Sequence, residues 1–325
     1  MFVLGMDIGY SNLKLTFGDA EGTPQSVVYP AGSAPQEYVS RSIISGDRSG
    51  GTEVTVGDKQ YIAGISQSSL EGWTRVLSSD YPRSDDYLAL YYVSLLATGR
   101  DEVDLVVTGL PVEQCEDEAF KVEIEARLRG THEVAKGKKV TVKEAKVIPQ
   151  PVGAYVDYLV SCDDPRIVEA SRMLVVDPGF FSVDWCAIDK GNFDRSSSDS
   201  SQEAMSVLLE EAGKLVTDDY DRPYDLATLE DAVRGNMRVP AHGELIDLEP
   251  YLGWASATVA ETVMRKVRQK MRRAVVQGAD FTLLTGGGAE LYKEAAAQVM
   301  KGSKVVTARE PVLANSRGFF EYGRA

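Results

Sequence analysis

The sequence predicts an α/β protein with two domains. Strand-like apolar runs alternate with helical patterns along both halves of the chain, as in α/β architectures with mixed sheets. A length of 325 residues exceeds the usual size of a single hydrophobic core. One device also occurs twice, at Val3–Leu15 and at Met173–Trp185. In each, an apolar run ends in Asp, Gly follows two positions later, and an extended pattern resumes.

Composition and charge narrow the class of protein. With 43% hydrophobic and 26% charged residues, the chain has the composition of an ordinary soluble globular protein. A net charge of −14 argues against strong direct binding to nucleic acid, because phosphate backbones require concentrated Lys and Arg. We expect no signal peptide and no membrane span, since "LALYYVSLLA" is too short to cross a bilayer. Three widely spaced cysteines and two isolated histidines form no metal or disulfide pattern, so a reducing cytoplasm is expected.

The first half of the chain has the patterns of one domain. Its apolar runs predict strands at Phe2–Met6, Leu13–Phe17, Val103–Thr108 and Val140–Ile148. Helical patterns that end at a glycine predict helices at Asp85–Gly99 and Glu113–Gly130. The segment Ser33–Pro82 is richer in Gly, Ser and short polar runs. We interpret it as an insertion in the first domain.

The second half resumes the strand and helix alternation after Met173. Asp189–Leu248 is interpreted as a second insertion, with "DRSSSDSSQE" as its mobile entry. A long helix is predicted at Ala255–Gln277, with an apolar stripe and a basic remainder. The stripe is Val259, Val263, Val267, Met271 and Val275, and the basic residues are Arg265, Lys266, Arg268, Lys270, Arg272 and Arg273. A contact with a polymer is conceivable, but a solvated basic face near a helix C-terminus is favoured.

The first Asp-x-Gly motif, "DIGYSNLKL", has the composition of a phosphate-binding turn. Gly9, Ser11 and Asn12 lie in a tight turn between two strands, where backbone N–H groups converge and Gly permits close approach of an anion. Lys14 returns on the next strand as a positive charge. Asp7 ends a buried strand, so we expect a metal or a water network beside it. An ordinary β-hairpin explains the turn equally well.

The segment "LLTGGGAELYKEA" is a more specific signal. A buried strand at Phe281–Leu284 runs into Gly286, Gly287 and Gly288 and then into a helix opened by Glu290. Consecutive glycines let a flat ring or a phosphate lie against the main chain at a helix N-terminus. A Cβ at Gly287 would intrude there, and the backbone at Gly287 could require positive φ. A flexible loop is the alternative, and the spacing is neither Rossmann nor Walker.

The connector "VIPQPVGAYVDYL" places Gln150 between two prolines. Those prolines are expected to hold Gln150 extended just before a helix at about Val152–Val160. A Gln held in this way could orient an attacking water, as Gln does in other nucleotide hydrolases. A structural linker is the alternative for this segment taken alone.

Together these motifs resemble the actin-like ATPase superfamily and, within it, the ParM/StbA plasmid-segregation actins. The blocks that carry the resemblance occur in order from Met1 to Gly323, and the two insertions alone fall outside it. They are "DIGYSNLKL", "DLVVTGLPV", "PQPVGAYVDYL", "VVDPGFFSVDW", "LTGGGAEL" and "ANSRGFFEYG".

The resemblance implies a two-lobed, ribonuclease H-like fold with ATP and Mg²⁺ in a cleft between the lobes. The lobes would be residues 1–150 and 151–325, with a C-terminal helix at about 313–323 returning to the first. By this resemblance, Asp7 and Asp177 hold the metal and its waters, and Gln150 positions the attacking water. Gly9, Ser11, Asn12 and Lys14 match the first phosphate loop, Gly179 and Ser182 the second, and Gly286, Gly287, Gly288 and Glu290 the adenosine-binding segment.

The function that the resemblance implies is a cytoplasmic ATPase that hydrolyses ATP to ADP and phosphate. Such a protein polymerises into filaments and moves plasmid DNA through a DNA-binding adaptor. The sequence leaves filament geometry, the adaptor and the choice between ATP and GTP open. A small-molecule kinase would need a catalytic carboxylate facing an acceptor pocket, and none is identifiable. A chaperone-like nucleotide switch is disfavoured, because no substrate-binding domain is expected after Ala325.

The second hairpin departs from the family pattern. Phe180 and Phe181 stand where Gly and Thr are common, so only Gly179 and Ser182 can approach a phosphate closely. The phenylalanines either pack under the hairpin or cover the site. They also keep a non-hydrolysing scaffold among the alternatives. Asp184 has two interpretations, a role with the metal or an ordinary polar strand residue.

Overall fold

The computed structural model describes residues 1–40, 50–74, 78–274 and 278–325, with the backbone alone at 272–274. The chain divides into two compact units. Unit 1 comprises Met1–Val160 and Leu313–Ala325, and unit 2 comprises Ser161–Val312. Among the described helices, none combines the length and the apolar character that a membrane span requires.

The described elements alternate between strands and helices along the chain. The strands are β1 Phe2–Ile8, β2 Asn12–Asp19, β3 Gln25–Pro30, β4 Gly32–Pro35, β5 Thr52–Val56, β6 Lys59–Ile65, β7 Glu102–Leu110, β8 Gly130–Ala135, β9 Lys138–Pro149, β10 Arg172–Pro178, β11 Val183–Asp189, β12 Asn192–Ser201, β13 Arg238–Ala241, β14 Glu244–Asp247, β15 Phe281–Leu284 and β16 Lys304–Thr307. The helices are α1 Asp85–Ala97, α2 Val112–Glu116, α3 Glu118–Leu128, α4 Gln150–Ser161, α5 Pro165–Ala170, α6 Met205–Tyr220, α7 Leu226–Arg234, α8 Glu249–Ala274, α9 Ala289–Val299 and α10 Ala314–Arg324.

Unit 1 is built on a six-stranded mixed sheet in the order β3-β2-β1-β7-β9-β8. Its central strand β1 is buried throughout, as expected for a strand covered on both faces. Alternate side chains of β1 serve different layers, because successive residues point to opposite faces. Leu4 and Met6 belong to the core that includes α1, while Gly5 and Val3 contact α10.

The segment between β3 and α1 forms a small sheet of its own in the order β4-β6-β5. Its core contains Ala34, Val39, Ile62 and Ile65, and the rings of Tyr38 and Trp73 pack against it. The predicted insertion Ser33–Pro82 covers this sheet. Part of that insertion, residues 41–49 and 75–77, lies outside the described residues.

Unit 2 repeats the strand arrangement of unit 1. Its sheet has the order β12-β11-β10-β15-β16, with antiparallel pairs at β12–β11 and β11–β10 and parallel pairs at β10–β15 and β15–β16. The strands β3-β2-β1-β7-β9 have the same sequence of antiparallel and parallel pairs. The repeated Asp-x-Gly motifs therefore occupy equivalent hairpins in two equivalent sheets.

The prediction of a mobile entry at "DRSSSDSSQE" is wrong. Most of this segment forms β12, paired in register with β11. Its serines tolerate burial because their hydroxyls are hydrogen-bonded: Arg172 donates to Ser197 Oγ at 3.0 Å, and Ser198 Oγ donates to the Asp194 carbonyl at 2.7 Å. The prediction of mobility rested on the serine-rich composition alone, and this composition does not prevent the segment from forming a strand.

Most predicted elements are present, with two changes of boundary. The four strands of the first half are confirmed, and helix α1 ends before Gly99, whose φ is +66°. The single helix at Glu113–Gly130 is wrong: Asp117 is extended and caps α3 by accepting from Phe120 N at 3.0 Å. Helix α8 starts at Glu249 rather than Ala255, and the predicted end at Gln277 lies outside the described residues.

The stripe predicted on α8 is buried over the part that the structure describes. Val259, Val263, Val267 and Met271 all belong to the core of unit 2, while Val275 falls outside the described residues. Three of the basic residues form ion pairs. Arg265 pairs with Glu261, Lys266 with Glu203 and Lys270 with Asp199 at 2.7 Å. This pairing favours the interpretation as a solvated face.

Helix α10 completes unit 1. Its backbone lies so close to β1 that a Cβ on Gly5 would fall 2.3 Å from the Ser316 carbonyl oxygen. A Cβ on Gly318 would fall 1.7 Å from the carbonyl oxygen of Gly153 in α4, so both helices require glycine at their crossing. Arg317 also donates two 2.8 Å hydrogen bonds to the buried carboxylate of Asp157 in α4.

Candidate functional site

The tip of the β1–β2 hairpin is held by backbone hydrogen bonds on both sides. Gly9 N donates to the Asn12 carbonyl at 3.0 Å, and Ala31 N donates to the Ser11 carbonyl at 2.8 Å. A Cβ on Gly9 would lie 2.9 Å from Lys14 Nζ. Glycine at position 9 leaves this space open, and the close approach of an anion to its backbone stays a prediction.

Three of the predicted site residues meet around Asp7. This carboxylate is 3% exposed at the end of β1. Lys14 Nζ lies 3.0 Å from Asp7 Oδ2, and Gln150 Nε2 donates to Asp7 Oδ1 at 3.3 Å. Because an isolated buried carboxylate is strongly unfavourable, Lys14 supplies the charge partner that the sequence argument had assigned to a metal or water.

The expectation that Gln150 is extended before a helix is wrong. Gln150 is the first residue of α4, and Pro151 is the second. Prolines fit the first turn of a helix because the N–H groups there have no intrahelical partner. Starting the helix at Gln150 fixes its backbone directly at the end of β9. The side chain then reaches Asp7 on β1 from the end of β9, with β7 lying between the two strands.

The tip of the β10–β11 hairpin repeats this geometry with a different charge pattern. Gly179 N donates to the carbonyls of Asp177 at 3.0 Å and Ser182 at 2.9 Å. Asp177 is 8% exposed, and its register partner on β11 is Asp184, which is 4% exposed. Ser182 Oγ donates to Asp184 Oδ2 at 2.6 Å. At the position where unit 1 has Lys14 opposite Asp7, unit 2 thus has a second carboxylate.

Phe180, one of the two phenylalanines of this hairpin, packs inward rather than over the site. Phe180 packs against the core of unit 2. The start of α6 is joined to the same tip, because Met205 N donates to the Gly179 carbonyl at 3.2 Å and Ser206 N to the Phe180 carbonyl at 2.9 Å. Packing under the hairpin is therefore the correct alternative for Phe180.

The glycine-rich loop between β15 and α9 lies directly beside Asp177. Gly288 N donates to the Pro178 carbonyl at 3.0 Å, and Gly286 N donates to the Pro311 carbonyl at 2.9 Å. Gly286 has φ +74°, and a Cβ there would fall 2.0 Å from Asp177 Oδ1. The positive φ expected at Gly287 is therefore wrong: it occurs at Gly286, while a Cβ on Gly287 would meet no atom within 4 Å.

The remaining predicted residues of the loop differ in exposure. Gly288 is closely packed, since a Cβ would fall 2.9 Å from both Met205 Sδ and Pro178 Cβ. Gly287 is exposed, and so is Glu290 in the first turn of α9, where it pairs with Lys293 at 3.4 Å. Gly287 and Glu290 are therefore the loop residues with surface available to a ligand.

The sequence analysis missed Tyr10, although it lies in the tip of the first hairpin. Its ring stacks on Tyr81 with centroids 4.8 Å apart and an interplanar angle of 24°. Tyr81 in turn contacts the edge of Tyr87, whose pKa is raised to about 12 by burial, with the negative charge of Asp7 as a further cause. The signal in the sequence was an aromatic residue within an otherwise small and polar turn.

The structure therefore places predicted site residues together in two separate clusters, one in each unit. Unit 1 brings together Gly9, Lys14, Asp7 and Gln150, and unit 2 brings together Asp177, Ser182 and the glycine-rich loop. Within the described residues, no group of three or more His, Cys, Asp or Glu side chains could by itself hold a metal ion. Each unit instead offers a buried Asp at the end of a central strand.

Comparison with known families agrees with this arrangement. Residues 5–153 match the family model of the actin-like proteins' N-terminal domain. This part of the chain is thus similar to the N-terminal domain of actin-like proteins. The matched range contains Asp7, the first hairpin and Gln150, and the fold of the whole chain is actin-like. No curated protein matches the sequence.

Solved structures with the actin-like fold cover almost the whole chain. An archaeal actin homolog, Ta0583, is 17% identical over 99% of both chains with a TM-score of 0.79, and its complex with ADP has a TM-score of 0.77. A 15-stranded ParM filament from Clostridium botulinum is 17% identical over 99% of this chain and 98% of that one, with a TM-score of 0.71. Bacillus thuringiensis ParM with ATP is 15% identical over 98% and 97% of the two chains, with a TM-score of 0.66.

Proposed function

We propose that this actin-like protein is an ATPase that binds Mg-ATP through residues of both units and assembles into filaments. The observation that carries the proposal is the repeated Asp hairpin, with Lys14 and Gln150 on Asp7 and the glycine-rich loop against Asp177. The complex of Ta0583 with ADP, the structure of Bacillus thuringiensis ParM with ATP and the filament of Clostridium botulinum ParM support it.

The residues present fit a magnesium nucleotide. Mg²⁺ is usually bound through one or two carboxylates and keeps several waters, which matches Asp7 and Asp177 at the ends of β1 and β10. Gly9 and Gly179 allow phosphate oxygens to approach the backbone at the two tips, and Lys14 adds a positive charge at the first. When bound, Mg²⁺ supplies positive charge that offsets the charge of the phosphate oxygens.

The proposed roles follow from the contacts of each residue. Asp7 and Asp177 would hold the magnesium ion and its waters. Lys14 lies 3.0 Å from Asp7 and holds a phosphate on its other side. Ser182 and the backbone of Gly179 bind phosphate at the second tip, with Ser11 and Asn12 in the corresponding role at the first. Gly287 supports the adenosine with its exposed backbone, and Glu290 contacts the nucleoside from α9.

Gln150 is proposed to orient the attacking water. Its amide nitrogen donates to Asp7, which fixes the direction of the amide group, and the carbonyl oxygen accepts from the water. Phosphoryl transfer to water depends on positioning and charge stabilisation rather than on a covalent enzyme group. Loss of the Gln150 side chain should therefore slow hydrolysis more than it weakens nucleotide binding.

We further propose that the filament segregates plasmid DNA through a DNA-binding adaptor in the cytoplasm. A net charge of −14 supports an adaptor, because binding to a phosphate backbone requires concentrated Lys and Arg, and acidic residues outnumber them in this chain. Nucleotide-dependent assembly is the necessary first step, since closure on ATP would change the surfaces through which copies associate.

The deciding experiment combines light scattering with phosphate release on the purified chain, with and without Mg-ATP. We expect scattering to rise only with nucleotide, and phosphate to be released without a small-molecule acceptor. Asp177→Ala should bind nucleotide but lose most hydrolysis, and Gln150→Ala should slow hydrolysis while leaving assembly intact. The matched controls are the exposed residues Asp163 and Gln298, changed to Ala.

Four outcomes would contradict the proposal in different ways. Nucleotide binding without any rise in scattering would indicate a non-polymerising switch. Phosphate transfer that requires an added small molecule would indicate a kinase. Hydrolysis by Asp177→Ala within a few-fold of the parent rate would remove Asp177 from the metal site, and a Gln150→Ala variant unable to bind nucleotide would assign Gln150 a structural role.

A further inference from the structure

Tyr10 connects the first hairpin tip to a segment far along the chain. Its hydroxyl donates to the Ser78 carbonyl at 3.0 Å, and its ring stacks on Tyr81. Ser78 and Tyr81 belong to the turn that leads into α1. This turn is itself ordered by backbone bonds, from Tyr81 N to the Ser78 carbonyl at 3.0 Å and from Ser84 N to the Tyr81 carbonyl at 2.9 Å.

The contacts of Tyr10 complement those of its neighbours in the tip. Ala31 N holds the carbonyl of Ser11 from the β3–β4 side. Tyr10 holds the preceding residue from the Ser78–Tyr81 side. The tip is thus attached to two separate segments of unit 1, in addition to the hydrogen bond from Gly9 N to the Asn12 carbonyl.

The second hairpin supports a role for an aromatic residue at this position. Phe180 occupies the equivalent place, directly after Gly179, and packs against the core of unit 2. Both tips therefore carry an aromatic side chain that turns inward while the flanking glycine keeps the backbone accessible. In unit 1 this side chain packs on another turn, which is also where α1 begins.

We propose that Tyr10 is a positioning residue for nucleotide, which holds the Gly9–Asn12 turn in its phosphate-binding conformation against the Ser78–Tyr81 turn. The proposal rests on the proposed function. A turn that is ordered before binding does not lose that conformational freedom when the phosphate arrives, so its affinity is higher. The same contacts couple the two turns, so that nucleotide at the tip stabilises the start of α1.

The test compares Tyr10→Phe, Tyr10→Leu and Tyr10→Ala by calorimetric titration with Mg-ADP. Phe keeps the ring stack and loses the hydrogen bond, so affinity should fall about threefold. Leu and Ala lose both contacts, and affinity should fall about tenfold or more. Tyr322→Ala is the matched control, because Tyr322 is a 41% exposed tyrosine on α10 of the same unit.

Hydrogen exchange supplies the readout that a purely structural role would not change. Mg-ADP should slow exchange at the amides of Tyr81, Arg83 and Ser84 in the parent and in Tyr10→Phe, and should have little effect in Tyr10→Leu and Tyr10→Ala. Equal affinity and equal protection in all four proteins would overturn the positioning role.

The outcomes also separate this inference from the proposed function. If the parent does not bind Mg-ADP, the proposed function and the role of Tyr10 fall together. If the parent binds and Tyr10→Leu binds equally well, the role of Tyr10 alone is wrong. Should Tyr10→Ala fail to fold, the comparison of the Phe and Leu variants still decides the matter.

Discussion

Substituting Gly286 and Gly287 one at a time should separate the roles of these two adjacent glycines. Gly286 and Gly287 are adjacent, yet only Gly286 has positive φ and only its Cβ would collide, 2.0 Å from Asp177 Oδ1 and 3.1 Å from the Pro178 carbonyl. We therefore predict that, in the absence of nucleotide, Gly286→Ala destabilises the folded protein and Gly287→Ala leaves its stability nearly unchanged. The two variants differ by one position and carry the same chemical change.

The expected magnitude follows from two terms. An alanine in the left-handed region costs roughly 1–2 kcal/mol, which lowers the melting temperature by about 2–8 °C for a domain of 150–250 residues. The collision adds to this cost, because Asp177 must move away from its place at the end of β10. Gly287→Ala should change the melting temperature by less than about 1 °C, since neither term applies.

The assay measures melting temperature with and without Mg-ADP. At a ligand concentration of 100 times the parent Kd, binding stabilises the folded state by about 2.7 kcal/mol. A tenfold loss of affinity in Gly286→Ala, caused by displacement of Asp177, would reduce that stabilisation to about 1.4 kcal/mol. Gly287→Ala should reduce the ligand-induced shift, because its methyl group lies on the exposed backbone that is proposed to support the adenosine.

Two results would refute this reasoning. Equal melting temperatures for both variants without nucleotide would show that the conformation at Gly286 is not required. A full ligand-induced shift in Gly286→Ala, despite a lower melting temperature, would show that Asp177 has no part in nucleotide binding.

Two further predictions concern the stability of unit 1. Burial raises the pKa of Asp86 to about 6, above its unfolded value, so stability falls as pH rises from about 4 to 6. Asn has no carboxyl group to ionise, so Asp86→Asn should prevent this decrease in the free energy of unfolding, which amounts to up to about 3 kcal/mol. Its melting temperature should exceed that of the parent at pH 7.5 and match it near pH 4, and a lower value at pH 7.5 would contradict this. Gly318→Ala should destabilise by about 3 kcal/mol or more, because its Cβ meets the Gly153 backbone at 1.7 Å. Its control, Gly253→Ala in α8, should stabilise by about 0.5–1 kcal/mol, and similar melting temperatures for the two would refute the close crossing.

The parts of the fold that were predictable are those with a strong local signal. The continuous apolar run of β1 and the Asp-x-Gly turn after it identify the first hairpin without reference to the rest of the chain. The same signal at Asp177 identifies the second. Because both signals lie within about ten residues, the pairing of equivalent hairpins could be predicted before the sheet order was known.

The parts that were not predictable depend on partners distant in sequence. The serines of β12 form a strand because Arg172 and backbone groups satisfy their hydroxyls. Tyr10 finds its partners 68 and 71 positions later, which no turn motif encodes. The choice of Gly286 rather than Gly287 for positive φ depends on the position of Asp177 and on the Pro311 carbonyl.

The crossing of α4 and α10 has a consequence for the order in which the chain is made and folded. Unit 2, Ser161–Val312, is synthesised between the two parts of unit 1. Its residues have all left the ribosome before α10 does, so unit 2 can fold first. Until α10 has been synthesised, one face of β1 stays uncovered at Gly5, because α10 is the element that covers it.

Bringing Val160 and Leu313 together closes a loop that consists of the whole of unit 2. This closure costs roughly 4 kcal/mol in chain entropy. The Arg317–Asp157 pair and the glycine crossing are the contacts that offset it. The β1–β2 hairpin is therefore covered by α10 only after the whole of unit 2 has been synthesised.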